Sequence, residues 1–313
     1  MQIYYRYSDF LKKKYGEKVY KLPVNVPGTC PNRDGTISTG GCTFCGEQGA
    51  GHEALSSSIP IEEQLQLEKS IITERYKAKK FIAYFQNYTG TYRPSVELYE
   101  MLIQACQPDI VEIAVATRPD CLEVQHLEIF RRIQREKNVA ITIELGLQSA
   151  NDETLRRINR GHDTACYRRA METIADYGFS VCTHMILNLP YDQMEDVVAG
   201  AKLLRETGSQ QVKLHSLYLV KGTKMAKDFE NGCLEMISCE DYMERVMVFL
   251  EHLPEDVAVQ RLLGRAPATD TIFANWGRSW WSIQDEIERK MLEQGRYQRA
   301  LCRENPLASE KSC

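Results

Sequence analysis

The stretch AITIELGLQ, from Ala140 to Gln148, alternates between apolar and polar residues. Its odd-numbered residues from 141 to 147 are isoleucine or leucine, and its even-numbered residues from 142 to 148 are threonine, glutamate, glycine and glutamine. Because successive side chains of a β-strand point to opposite faces, this strand has one polar face. A parallel strand covered by helices on both faces would instead be nearly continuously aliphatic. The pattern therefore predicts a strand whose polar face lines an interior.

Short β-type runs alternate with longer runs of helical spacing along most of the chain. Helical spacing is clearest in 60–76, where Pro60 suits a first turn, and in 94–106. Successive β-α units imply parallel strands joined by right-handed crossovers, and hence a doubly wound sheet or a barrel. The predicted strands are 19–26, 81–86, 110–117, 139–148, 179–188 and 212–220.

Polar residues alternate in the same way in four of the other five predicted strands. A shared polar interior suits an open barrel around a polar ligand, although a packed barrel with paired inward charges fits the pattern as well. We therefore predict an α/β fold, a partial (βα)6 TIM-type barrel in 19–235, with an N-terminal extension in 1–18 and a helical C-terminal extension in 236–313. The alternating polar residues are Lys21 with Asn25, Glu112 with Arg118, Cys182 with His184 and Asn188, and Lys213 with His215.

The composition limits the classes of protein that fit. The 313 residues carry a formal net charge of −4 at pH 7, so no global charge indicates a nucleic-acid or membrane partner. The N-terminus lacks the layout of a secretory signal, and no apolar run approaches the roughly 18 residues of a membrane span. Eleven scattered cysteines favour a reducing compartment over a disulfide scaffold. We predict a cytoplasmic protein without a membrane partner.

The stretch GTCPNRDGTISTGGCTFCGEQGAG, numbered 28–51, follows the first predicted strand. It spaces Cys30, Cys42 and Cys45 as C-x11-C-x2-C, at the end of a strand where barrel active sites are built. Three thiolates can hold three irons of a [4Fe–4S] cluster and leave the fourth iron open. The spacing suits zinc equally well, with His52 as a fourth ligand, and it also suits three reduced thiols in a loop.

Three further blocks accompany the cysteine stretch: TRPD at 117–120, ELGLQSANDETLRRINRGH at 144–162 and VKLHSLYLVKGT at 212–223. Together with the cysteine motif they resemble the radical S-adenosylmethionine (SAM) superfamily. More narrowly, they resemble its YtqA/YhcC-type branch, which is related to the Elongator catalytic subunit and to oxygen-independent coproporphyrinogen oxidase. The resemblance extends over roughly 4–223 and favours the cluster over zinc.

The resemblance implies that the three cysteines ligate a [4Fe–4S] cluster and that SAM chelates its open iron through its amino and carboxylate groups. Gln148 would contact the SAM ribose and Arg160 the SAM carboxylate. Gln86 and Asn87 stand where related enzymes meet the SAM amino group, although the usual Gly-Gly-Glu is replaced here by FQNYT.

Further candidate contacts come from the inward faces of the predicted strands. Glu144 and Arg118 are candidate cofactor contacts. Lys213, His215 and His184 are candidate substrate contacts. Each of these polar side chains could equally belong to an internal hydrogen-bond network.

The YtqA side of the branch is associated with the wobble uridine of tRNA, and the resemblance implies conversion of a 5-carboxymethylaminomethyl group to 5-aminomethyl. The implied partners are tRNA, an electron donor such as flavodoxin or ferredoxin, and a downstream methyltransferase. The substrate carboxylate needs a cation, for which Lys213 or Arg118 could serve. A small-molecule or protein substrate is one alternative, and a zinc-stabilised RNA-binding module without catalysis is another.

Both ends of the chain carry notable charge and aromatic content. The first 21 residues contain six basic and two acidic residues with five interleaved tyrosines, which predicts either an RNA surface or an amphipathic cap on the barrel. The segment 278–303 predicts a helical lid or docking element. Its pair Trp280 and Trp281 is expected to lie mostly in the core.

Overall fold

A curled sheet of seven parallel strands forms the centre of the protein. The computed structural model describes residues 2–47, 49 and 53–302. In chain order the elements are α1 (Tyr7–Tyr15), β1 (Val19–Val24), α2 (Ile61–Tyr76), β2 (Lys80–Phe85), α3 (Ser95–Ala105), β3 (Ile110–Thr117), α4 (Val124–Lys137), β4 (Ala140–Gln148), α5 (Asp152–Arg157), α6 (Thr164–Tyr177), β5 (Ser180–Ile186), α7 (Met194–Thr207), β6 (Gln211–His215), β7 (Leu219–Val220), α8 (Lys224–Glu230), α9 (Cys239–His252), β8 (Ala258–Arg261), β9 (Thr271–Phe273) and α10 (Trp280–Glu293).

The sheet follows the predicted βα order. Each strand from β1 to β6 lies beside its successor and runs parallel to it, as successive β-α units require. The predicted helices 60–76 and 94–106 correspond to α2 and α3 within one residue at each end. The prediction of an α/β partial barrel is confirmed.

Two details of the sheet differ from the prediction. The strand β8 pairs parallel with β6 and is a seventh strand, within a segment that we predicted to be helical. The predicted strand 212–220 is broken: β6 ends at His215, and β7 pairs antiparallel with β9 outside the main sheet. The break has a local cause, because the Asn188 side chain accepts the backbone N–H of Leu217 at 2.6 Å and withdraws that group from the ladder.

The alternation within β4 separates the core from the barrel interior. Ile143, Leu145 and Leu147 are fully buried in the large apolar cluster that also contains Phe130 of α4. Burial of each such aliphatic side chain stabilises the fold by about 1.5–3 kcal/mol. The opposite face of β4 carries Glu144 toward the interior, as the alternation predicts.

The N-terminal helix α1 covers the amino-terminal ends of the strands. Its Leu11 packs in an apolar cluster with Val19 and Ile82, and Tyr5 accepts the backbone N–H of Val259 on β8 at 2.8 Å. Glu112, a predicted inward residue, accepts hydrogen bonds from Lys14 and Tyr15 of α1 and therefore lies at this closed end. The five tyrosines of this segment are all buried or half-buried, so the structure favours the cap over an RNA-stacking surface.

The C-terminal helix α10 packs on α9 and on the N-terminal segment. Its Glu288 accepts a hydrogen bond from Tyr4 at 2.7 Å, which ties the two ends of the described chain together. The helix buries Ile283, Ile287 and Met291, which recur every four residues on one side. Trp281 lies off that side and is 57% exposed, so the prediction that both tryptophans lie mostly in the core is wrong for Trp281. Among the described residues, no helix combines the length and apolarity that crossing a membrane requires.

Candidate functional site

The three cysteines of the motif lie on the long loop between β1 and α2. Cys30, Cys42 and Cys45 line one cavity, together with residues at the carboxyl ends of the parallel strands. Two successive glycines with φ of +80° and +81°, Gly40 and Gly41, turn the chain into the second cysteine. The loop is held from below by buried Asn32, whose amide donates to the Arg160 carbonyl at 3.0 Å.

Each cysteine sulfur receives an N–H group from a different arginine. Cationic donors of this kind stabilise thiolates and the sulfurs of iron–sulfur clusters. The donor to acceptor distances are 3.1 Å from Arg33 Nη2 to Cys45 Sγ, 3.7 Å from Arg118 Nη1 to Cys30 Sγ and 3.7 Å from Arg160 Nη1 to Cys42 Sγ.

The sulfur environment fits an anionic metal cluster. Burial and the neighbouring Cys42 sulfur raise the pKa of the Cys45 thiol above its ordinary value. A bound metal overcomes such a shift, because coordination deprotonates a thiol outright. The three sulfurs are thus placed to ligate a cluster with three protein ligands, and the three guanidinium groups are placed to donate hydrogen bonds to those sulfurs. His52, the fourth ligand of the zinc alternative, lies outside the described residues.

Arg118 of the TRPD block is a predicted cofactor contact that is already paired. Its Nε and Nη2 donate to both carboxylate oxygens of Asp120 at 2.8 and 2.6 Å, and its side chain is 2% exposed. Such a bidentate pair occupies the guanidinium fork. The remaining Nη1 faces Cys30, so the structure places Arg118 behind the cysteine loop as well as on the cavity wall.

Arg160 and Gln148 meet at the carboxyl end of β4. Arg160 Nη2 donates to the Gly146 carbonyl at 2.6 Å, and a Cβ atom on Gly146 would lie only 2.7 Å from that nitrogen. A side chain at position 146 would therefore displace the guanidinium from this carbonyl. Gln148 has φ of +81° and follows a register shift between β4 and β5. Backbone strain of this kind concentrates at functional sites, and both side chains line the cavity.

The two residues predicted at the end of β2 take different positions. Gln86 lines the cavity and donates to Glu53 Oε2 at 3.2 Å. Asn87 instead donates to Oδ1 of Asn25, the residue that directly follows β1, at 3.0 Å. Asn87 therefore lies behind the cavity wall. Of this pair, the structure brings only Gln86 to the site.

Glu144 is the centre of a buried polar cluster on the cavity floor. It accepts from Lys21, from Lys213 Nζ at 3.2 Å and from His184 Nε2 at 2.8 Å. Burial alone would raise the pKa of the Glu144 carboxyl, but Lys21, Lys213 and His184 outweigh burial and hold it well below its ordinary value. Burial lowers the pKa of Lys213 to about 8, against the opposing pull of Glu144. The glutamate therefore stays ionised and neutralises part of a cationic interior.

We expect the protein to lose stability in mild acid because of His184. Burial, against the opposing pull of Glu144, lowers the pKa of His184 from 6.5 to about 4. Between these values the unfolded chain binds a proton that the folded chain does not, so the free energy of unfolding falls as the pH drops through this window. Thermal unfolding at several pH values checks this. The Tm of a His184→Gln variant should fall less steeply than that of the wild type, and equal slopes would contradict the assignment.

His215 and Arg261 form the wall beyond this cluster. Arg261 Nη2 lies 2.7 Å from His215 Nδ1, and the His215 ring centroid lies 5.1 Å from that of His184. The three predicted substrate contacts, Lys213, His215 and His184, therefore lie together on the same cavity as the cysteines. Sequence alternation alone placed these side chains on one face, and the curvature of the sheet brings them opposite the cysteine loop.

Several cavity residues were missed by the sequence analysis, among them Tyr84, Tyr218 and Arg261. Tyr84 lies two residues before Gln86, so the alternation in the predicted strand could have identified it. Tyr218 lies three residues after the end of β6, and burial raises its pKa to about 12. Arg261 ends the four-residue strand β8, which is too short to show a clear period. All three line the cavity.

Comparison with known proteins decides the family. The family model of the Radical SAM superfamily matches residues 25–204, which is more than half of the chain. The chain belongs to the radical SAM superfamily. The family model of the Radical_SAM C-terminal domain matches residues 209–293. The resemblance noted from the sequence blocks is confirmed, and this radical SAM protein is an enzyme that uses a [4Fe–4S] cluster and SAM.

Individual relatives refine this assignment. The radical SAM chain is 38% identical over 286 residues to protein YhcC of Escherichia coli (strain K12), covering 91% of each chain, which confirms the predicted branch. It is 23% identical over 181 residues to a tRNA uridine(34) acetyltransferase of Methanocaldococcus infernus, covering 56% of this chain and 32% of that protein. The solved structure of Methanocaldococcus infernus Elp3 matches with a TM-score of 0.64 at 16% identity, over 90% of this chain and 64% of that one, and so shares the fold.

Proposed function

We propose that this radical SAM enzyme acts on the wobble uridine of tRNA and converts its 5-carboxymethylaminomethyl group to 5-aminomethyl. One observation carries the proposal: a single cavity runs from the three cysteine sulfurs to a wall that carries lysine and arginine cations beside two neutral histidines. Such a cavity suits a polar substrate arm that ends in a negative charge.

The residues around the cysteine loop hold the cofactors in this proposal. Cys30, Cys42 and Cys45 ligate the cluster. Together with SAM, the bound cluster would supply radical chemistry that abstracts a hydrogen atom from a carbon of the substrate. Arg160 and Gln148 bind SAM, as their positions at the end of β4 favour.

Other side chains orient the ligands and support the cavity. Gln86 and Arg118, which directly follow β2 and β3, contribute to the SAM side of the cavity. Glu144, which is fully buried among its partners, acts through them and keeps Lys213 and His184 in place. The strands that form the cavity floor, and α1 at their amino-terminal ends, exclude water from the reacting carbon. Radical chemistry requires this exclusion.

The proposed net reaction balances in atoms and electrons. The carboxymethylaminomethyl arm, SAM and water give the aminomethyl arm, glyoxylate, methionine, 5′-deoxyadenosine and a proton. The methylene carbon between nitrogen and carboxylate loses two electrons, its bond to nitrogen breaks, and the sulfonium C–S bond is reduced. One electron from a donor such as flavodoxin or ferredoxin starts the reaction and is returned when the substrate carbon is oxidised, so the net reaction consumes no external electron. A separate methyltransferase would complete the methylaminomethyl group.

A groove on the outer side of the cysteine loop supports an RNA substrate. Exposed basic side chains outnumber acidic ones there, and in the described part of the chain Lys221 and Lys227 have no ion-pair partner. Unpaired surface cations next to an active site suit the phosphates that flank a target nucleotide. The partial similarity to a tRNA uridine(34) acetyltransferase favours the same substrate class. The groove's charged residues are Arg33, Arg157, Lys221, Lys224 and Lys227 against Glu47 and Asp270.

The wobble nucleosides of a deletion strain test this proposal. We expect tRNA from a strain lacking the gene to accumulate the 5-carboxymethylaminomethyl form, measured by digestion and mass spectrometry. The wild-type gene should restore the profile, and a gene encoding Cys42→Ala should not. An unchanged nucleoside profile would overturn the tRNA substrate and favour a small-molecule or protein substrate instead.

A further inference from the structure

Most cations on the cavity wall already have an anionic or sulfur partner. Lys213 contacts Glu144 at 3.2 Å, and Arg118 forms a bidentate pair with Asp120. Arg33 and Arg160 face cysteine sulfurs. The two cations that the sequence suggested for a substrate carboxylate, Lys213 and Arg118, are therefore both engaged.

Arg261 differs from these residues. The closest carboxylate in its ion pairs is that of Glu53, whose Oε2 lies 3.9 Å from Nη1 and also accepts from Gln86 at 3.2 Å. At that distance the pair makes no hydrogen bond. In the described part of the chain the buried Nε of Arg261 has no partner. Arg261 thus carries a guanidinium charge on the cavity wall that Glu53 balances only weakly.

His215 presents a hydrogen-bond donor beside that guanidinium. Burial, and then the charge of Arg261, lower the pKa of His215 well below its ordinary value, so the ring is neutral at pH 7. A guanidinium only donates, so the Nδ1 atom that Arg261 contacts must be the acceptor and the proton must sit on Nε2. Among the described residues this Nε2 is buried without a partner. A buried N–H group without an acceptor is costly, and a ligand oxygen would satisfy it.

We propose that Arg261 and His215 form a carboxylate-binding subsite that seats the carboxylate of the substrate arm. One oxygen accepts from the Arg261 guanidinium and the other from the His215 Nε2–H group. One cation and one neutral donor match a monoanion, whereas a phosphate dianion would leave a negative charge unbalanced. The identity of the carboxylate rests on the proposed function.

The position of this subsite gives it a role in specificity. Arg261 and His215 lie at the ends of β8 and β6, at the other edge of the sheet from β1 in strand order, and they line the same cavity as the cysteine loop. A carboxylate held there directs the adjacent methylene into the same cavity that the cysteines line. The product arm lacks the carboxylate, so the subsite distinguishes substrate from product.

The test compares two tRNA substrates, one carrying the carboxymethylaminomethyl arm and one in which its carboxylate is converted to the primary amide. For the reconstituted wild-type enzyme we expect kcat/KM to be roughly 10- to 100-fold higher for the carboxylate, as the loss of a charge-assisted hydrogen bond implies. Arg261→Gln should lower kcat/KM for the carboxylate by a similar factor and leave the amide nearly unchanged. His215→Leu should act in the same direction, and His215→Gln, which keeps a donor, should retain more activity.

Controls separate this inference from folding and from the proposed function. The variants should keep the wild-type iron content and Tm. Arg132→Gln, which removes an exposed guanidinium from the outer helix α4, should behave as the wild type. If the wild type converts the carboxylate substrate and Arg261→Gln keeps the same preference, the subsite is refuted and the function stands. If the wild type converts neither substrate, the proposed function fails, and the identity of the carboxylate fails with it.

Discussion

Replacing Cys42 by alanine will remove the iron–sulfur cluster and reduce SAM cleavage to background. Its thiol is buried, receives the Arg160 guanidinium and lines the cavity with the other two motif cysteines. A cluster held by three protein ligands loses a full corner when one ligand is removed. We expect Cys30→Ala and Cys45→Ala to have the same effect. Iron and sulfide analysis, visible absorption after anaerobic reconstitution and 5′-deoxyadenosine formation measure the loss.

A matched cysteine outside the motif supplies the control. Cys106 lies at the end of α3, and its thiol donates to the Leu102 carbonyl at 3.2 Å. Cys106→Ala should therefore keep the cluster and full SAM cleavage. If Cys42→Ala retained four irons and cleaved SAM at the wild-type rate, the assignment of the three ligands would be wrong.

The second large effect concerns stability, where Glu144→Gln should lower the free energy of unfolding by about 3–5 kcal/mol. Glu144 is fully buried and faces two lysines and His184. The neutral amide would leave the buried Lys213 ammonium and the half-buried Lys21 ammonium without their anion, and breaking a buried ion pair from one side costs this much. The corresponding decrease in Tm is roughly 5–15 °C, measured by differential scanning calorimetry.

Two variants check the physical reason for this loss. Glu153→Gln removes a glutamate that also has two cationic partners, Arg156 and Arg157, but on the surface. Exposed pairs contribute about 0–1 kcal/mol, so its Tm should stay close to that of the wild type. The double variant Glu144→Gln/Lys213→Met also removes one of the two ammonium groups that lose their anion. Its Tm should therefore lie between those of Glu144→Gln and the wild type. Equal Tm values for Glu144→Gln and Glu153→Gln would show that burial does not amplify the interaction.

The local patterns of the sequence determined the building blocks of this protein. Six of the seven barrel strands were predicted as short β-type runs. In five of them the alternation of apolar and polar residues also gave the side-chain directions, because side-chain direction in a strand depends only on position along it. The C-x11-C-x2-C spacing, placed after the first strand, determined the metal ligands that we propose. The alternation of apolar and polar residues alone also predicted that Glu144, His184 and Lys213 point into the interior.

Tertiary structure decided which of those inward charges are available. Arg118 and Lys213 look equivalent in sequence, yet one is paired with Asp120 and the other with Glu144, and such pairing depends on register and on strands far apart in the chain. The seventh strand, with Arg261, has too few residues to show a period and is recognisable only where it joins β6. The basic, tyrosine-rich N-terminus caps the sheet for a similar reason. Its Lys14 and Tyr15 find Glu112 only once the sheet has folded and curled. The alternation of residues along a strand determines where a side chain points. Contacts between strands far apart in the chain determine which groups it meets there.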